Sequence, residues 1–192
     1  MFTLRKIIDE SNKKENKILR AKSIPVSFPM SEEDKATAQY LIDHLEFASD
    51  PENEEKYHVR PGVGLAAPQI AVNKRMVGIY IENYDKDGNF TGAIRHVLVN
   101  PEIISHSAKV AYLKGGEGCL SVKQDREGFV PRHYFVTVKA FDYLTGEEIV
   151  KKFRGFEAIV VQHEIDHLDG VLYIDRINKK QPWAHIDGAI EL

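Results

Sequence analysis

The chain has 192 residues, 43% hydrophobic and 29% charged, with a formal net charge of −3. That length and balance fit one globular domain with a sizeable core. The slightly acidic total disfavours a general nucleic-acid binder, which needs a basic surface, and no apolar run approaches the roughly 20 residues that span a bilayer.

Several local signals narrow the compartment. The first 20 residues alternate charges with short apolar pairs and carry no signal-peptide core, while Asp9, Glu10 and Glu15 speak against a transit peptide. The single cysteine forbids an internal disulfide and fits a reducing environment. The expectation is a cytoplasmic protein with neither membrane nor specific nucleic-acid partners.

In chain order, residues 3–10 read as a short helix entered at Thr3. Ser31 followed by Glu32, Glu33 and Asp34 marks a helix start, with Ala38, Leu41, Ile42, Leu45 and Ala48 at helical spacing behind it. Residues 50–60 are polar and read as loop with a short helical turn. Residues 76–81 and 97–99 read as strands joined by the turn-rich stretch 85–89. Ile103 with Ile104, and residues 110–113, suggest two further short strands. Residues 134–141 alternate, turn at Leu144-Thr145-Gly146 and return through 148–153 as a hairpin. Residues 156–168 read as helix, with Gly155 an acceptable N-cap and Gly170 suited to a left-handed exit. Strands in the middle and helices toward the ends give an α+β class, with mixed, mainly antiparallel strands packed around a central helix.

That last helix carries His163-Glu164-Ile165-Asp166-His167, an H-E-x-x-H sequence. Residues four apart stack on one helix face, so both imidazoles can reach one metal ion, and Glu164 lies beside it as a candidate general base. The bland alternative is an exposed polar face whose histidines do nothing. A tetrahedral hydrolytic site still needs a third protein ligand. The zinc-peptidase extensions are incomplete: Tyr173 stands where a third histidine would fall, and the only glutamate beyond His167 is Glu191.

The one cysteine, Cys119, lies in Glu117-Gly118-Cys119-Leu120-Ser121. A lone cysteine is more often a small buried hydrophobe than a ligand. The glycines around it and the incomplete histidine pair reverse that preference, since one thiolate and two imidazoles suit a first-row metal. A third element, Gly62-Val63-Gly64-Leu65-Ala66-Ala67-Pro68-Gln69, permits close backbone packing and ends on a polar amide. Alone it reads as a turn leading into a core segment. Ile159 and Val160 flank the metal face, with core packing and a substrate-pocket role equally open.

Residues 62–69, 117–121 and 162–167 together resemble the peptide deformylase family, whose motifs G-φ-G-φ-A-A-x-Q, E-G-C-φ-S and Q-H-E-φ-D-H (φ apolar) stand here in order. The likeness runs through most of the chain and is closest to the longer type found in Gram-positive bacteria. One departure is Lys17, where many members carry a proline two positions before Leu19-Arg20.

The resemblance implies a bacterial catalytic domain over residues 1–192 that removes the formyl group from the N-terminal formylmethionine of new polypeptides. It implies Cys119, His163 and His167 as ligands of one divalent ion, Fe2+ in the cell, with Zn2+, Ni2+ or Co2+ able to replace it. Glu164 would handle the proton, while the Gln69 amide and the Leu120 backbone N–H would stabilise charge developing on the formyl oxygen. Val63, Gly64, Ile159 and Val160 would receive the substrate, with the segment 62–65 pairing to its backbone as an added strand. N-formylmethionyl nascent peptides are the expected partners, with a transient ribosome contact. Asp166 is either a solvated acid or the partner of a structural arginine, for which Arg132 is the candidate. Glu117 and Ser121 could orient ligands. Two rival readings stand beside this one: a zinc endopeptidase, and a non-catalytic module stabilised by metal.

Overall fold

The computed structural model describes residues 3–192. Four helices and eight strands are found among them: α1 Lys13–Leu19, α2 Glu32–Ser49, α3 Pro51–Tyr57, β1 Gly64–Ala66, β2 Met76–Tyr84, β3 Phe90–His106, β4 Val110–Tyr112, β5 Arg132–His133, β6 Phe135–Asp142, β7 Glu147–Arg154, α4 Gly155–Leu168 and β8 Ile190–Glu191. A five-stranded sheet in the order β1-β2-β3-β6-β7 is antiparallel throughout. A smaller sheet, β5-β4-β8, includes the parallel pair β4–β8.

Side chains alternate across the large sheet, so the strands β2 and β3 feed two cores. Val77, Leu98, Val136 and Val138 face α4 and pack against its Ala158, Val161, Ile165 and Leu168. Met76, Val97 and Val99 face the other way, onto Ala38, Leu41, Ile42 and Leu45 of α2. Each fully buried Val or Leu contributes about 1.5–3 kcal/mol, which is why α4 stays on the sheet although its N-terminus has no side-chain cap. Helix α2 starts as the sequence suggests, with Ser31 Oγ accepting from Asp34 N at 3.1 Å. No helix among the described residues is long and apolar enough to cross a membrane.

Three expectations are corrected. Residues 3–9 are not helical. The backbone there is used elsewhere: Ile8 N donates to Gln69 O at 2.8 Å and Glu10 N to Ser121 O at 3.0 Å. The helix begins only after Asn12, whose side chain accepts from Lys14 N and Glu15 N, and Lys17 lies within it. Ile103 and Ile104 belong to β3, which continues through a register shift after Val99 beside the left-handed Asn100 (φ 52°). Gly155 is the first helical residue of α4 rather than its N-cap; its φ of 55° turns β7 directly into the helix. The exit at Gly170 is left-handed as expected, with φ 73°.

Candidate active site

Helix α4 presents His163 and His167 one turn apart, with ring centroids 5.1 Å apart. Cys119 enters from the loop between β4 and β5, and its Sγ lies 3.3 Å from His167 Nε2. One donor atom from each of the three residues falls within 4.8 Å of the others. His163 Nδ1 is hydrogen-bonded to Glu117 Oε2 at 2.8 Å, which leaves Nε2 to face the thiol. One sulfur and two imidazole nitrogens converging in a buried setting are a donor set that a divalent first-row ion fits.

Buried charges hold this cluster in place. Arg132 donates to Glu117 through Nε at 2.5 Å and Nη2 at 2.8 Å, and to Asp166 through Nη1 at 2.9 Å. Asp166 is therefore the partner of a structural arginine, and Arg176 grips the same carboxylate from the surface side. Burial works against the Glu117 charge, but the hydrogen bonds from Arg132 and His163 outweigh it and hold the carboxyl at about 2. Burial lowers His167, which favours the neutral, ligating imidazole. Tyr173 occupies the place of a third histidine and stacks on the His163 ring, centroids 6.1 Å apart.

Glu164 is 4% exposed, and burial raises its carboxyl to about 7. Its Oε2 is buried without a protein partner. Gly64 explains how β1 comes so near, since a Cβ there would collide with the Glu164 carboxyl. Gln69 is 1% exposed and locked in orientation. Its Oε1 accepts from Ala66 N at 2.8 Å, so the amide NH2 points to Ser121 Oγ at 3.2 Å and Cys119 Sγ at 3.6 Å. No group among the described residues accepts the Leu120 N–H.

These groups open into a cavity of about 570 Å³. Val63, Gly64, Gln69, Cys119, Leu120, Ile159, Val160, His163 and Glu164 all border it, while His167 closes the buried side of the metal set. Val160 serves the core and the cavity at once, so its two readings are not exclusive.

The comparisons with known proteins identify the family. A model of the family described as polypeptide deformylase matches residues 7–183. The chain belongs to the polypeptide deformylase family. Peptide deformylase 2 of Bacillus cereus is 47% identical over 97% of this chain and 96% of its own length. The peptide deformylase of Ligilactobacillus salivarius is 45% identical over the full length of both. Among solved structures, a Met-Ala-Ser-bound class I type b peptide deformylase from Acinetobacter baumannii superposes with a TM-score of 0.68. It is 31% identical and covers 92% of this chain and all of its own. Deformylases of this family are metal-dependent enzymes that remove the formyl group from the N-terminal formylmethionine of nascent peptides.

Sequence reasoning missed part of this deformylase groove. Arg60, Tyr80, Ile81 and Leu113 border the cavity without a motif to mark them. Phe156, at the start of the helix read over 156–168, also borders it and is 41% exposed at the cavity wall. An exposed aromatic on an otherwise buried helix is the signal that could have found it. The second partner of Arg132, Glu117, was legible only as a residue that could orient a ligand.

Proposed function

We propose that residues 1–192 form one deformylase domain whose metal ligands are Cys119, His163 and His167. A bound divalent ion supplies Lewis acidity at the formyl carbonyl and acidifies the attacking water. Glu164 takes the proton of that water and later delivers it to the leaving amine, giving formate and a free methionyl N-terminus. A carboxyl raised to about 7 is poised to move a proton in either direction near neutral pH.

The Gln69 amide and the Leu120 N–H donate to the formyl oxygen as negative charge builds there. Ile159 and Val160 receive the methionine side chain, and Val63 and Gly64 flank the peptide. β1 is an edge strand of the large sheet, which supports pairing with an extended substrate. Fe2+ is the ion proposed for the cell, with Zn2+, Ni2+ or Co2+ able to use the same donors. The enzyme works in the bacterial cytoplasm, on nascent chains as they leave a ribosome that it contacts transiently.

The observation that carries this reading is the orphaned Glu164 Oε2 beside the Cys-His-His cluster, with a fixed amide donor opposite. A metal-stabilised module has no use for either group. Formate release from a formyl-Met peptide, with metal content measured on anaerobically purified protein, is the test. Cleavage of an unformylated peptide without formate release would favour the endopeptidase instead.

A further inference from the structure

Away from the groove, the large sheet carries a polar chain that its packing does not require. On β7, odd residues face α4: Ile149 and Phe153 pack against that core, and Lys151 lies between them. His96 of β3 faces the same way, between Ile94 and Leu98. Lys151 Nζ lies 2.7 Å from His96 Nε2, and His96 Nδ1 lies 2.6 Å from Asp142 Oδ2. Asp142 is fixed in turn, with Oδ1 accepting from Val97 N and Leu144 N. The His96 ring stands edge-on to Phe153, 5.7 Å away, and Lys151 Nζ is 5.3 Å from the same ring.

An inward-pointing lysine on an edge strand is a common device against sheet-to-sheet aggregation. That device needs only the charge. It does not need an imidazole within bonding distance, nor a buried carboxylate setting that imidazole's tautomer. A nucleophile next to a base, with the base oriented by a third group, is the arrangement that activates a side chain for covalent chemistry. Other lysines are engaged differently: Lys35 and Lys74 pair with the carboxylates of Glu32 and Asp34, and Lys152 lies over the Phe135 ring.

We propose that Lys151 is a nucleophilic lysine, a modification site for acyl phosphates, with His96 as its base and Asp142 holding that base. The ammonium gives a proton to His96 Nε2, and the freed amine attacks the acyl carbon. The new C–N bond forms as the C–O bond to phosphorus breaks. Phosphate leaves carrying one proton, and the second proton lost from the nitrogen passes to solvent. The sum is an ammonium plus an acyl phosphate giving an amide, hydrogen phosphate and a proton, with no change in oxidation state. The acylated nitrogen keeps one N–H for His96, while the inner face loses its cation.

The test is exposure of the full-length protein to acetyl phosphate, with occupancy of each lysine followed over time by peptide mass spectrometry. Lys151 is expected to react about 10²-fold faster than its exposed neighbour Lys152, the lower end of what a positioned base contributes. His96→Gln should bring Lys151 down to the Lys152 rate and leave Lys35 and Lys152 unchanged, with deformylation intact because His96 lies outside the groove. His96→Phe keeps a ring against Phe153, so the comparison stands even if the glutamine variant folds poorly. A Lys151 rate no higher than that of Lys152, or an advantage that survives loss of the imidazole, overturns the proposal and leaves edge protection as the role of this lysine.

Discussion

The floor and the rim of the groove are built on opposite principles. On the floor, Cys119, Gln69, Glu117, Arg132, Glu164 and His167 are all buried, and most are held by partners from other elements. On the rim, Val63 and Phe156 are 39% and 41% exposed and touch the site with one face only. Buried polar groups are costly unless paired, so each floor residue constrains the next, and a change there propagates. Rim residues contribute area, and a change there stays local.

The largest effect is expected at Cys119. Cys119→Ser replaces a thiolate by an alcohol that stays protonated near neutral pH, so metal binding and formate release should both collapse. Metal analysis of the purified variant checks this, and full occupancy would remove Cys119 from the ligand set. Gln69→Leu comes next. It keeps side-chain volume but removes the donor facing Cys119 and Ser121. Turnover should drop about 10²–10³-fold, roughly 3–4 kcal/mol, with kcat carrying the loss and KM little changed. An unchanged kcat would reduce Gln69 to a packing residue and erase its difference from the rim.

Glu117→Gln tests how the floor is held. The Glu117 carboxyl is depressed from 4.5 to about 2, so its stabilising contribution is complete above pH about 4.5 and is lost as the pH falls toward 2. The variant should be less stable than the parent at pH 7 by about 3 kcal/mol, with the gap closing on acidification through that window. Denaturant unfolding at several pH values reads it directly, and a gap independent of pH would mean that the ion pair with Arg132 is not its source. At the rim, Phe156→Ala should raise KM for a formyl-Met peptide about 2- to 5-fold with kcat nearly unchanged, because a half-exposed ring loses little area. A collapse of kcat would place Phe156 with the floor.

The same contrast explains what could be read from the residues alone. The convergence of His163 and His167 was legible because i, i+4 spacing is a local property of one helix, and that of Cys119 because an incomplete histidine pair called for a third donor. The start of α2 was legible from Ser31 and its acidic first turn. The segment 3–10 was misread because its backbone partners, Gln69 and Ser121, come from distant parts of the chain. β1 left no alternation to detect, since Gly64, Leu65 and Ala66 are all buried. Arg132 was linked to Asp166 but not to Glu117, because a guanidinium that serves two carboxylates 49 residues apart leaves no local pattern.

The central claim is that the Cys-His-His centre and Glu164 divide binding from proton transfer. Glu164→Gln measures that most directly, with metal content and formate release determined on the same preparation. The account predicts metal occupancy equal to the parent and turnover reduced about 10²-fold or more, as for loss of a positioned base. Near-parental turnover with the metal in place would contradict it and assign the proton transfer to another group.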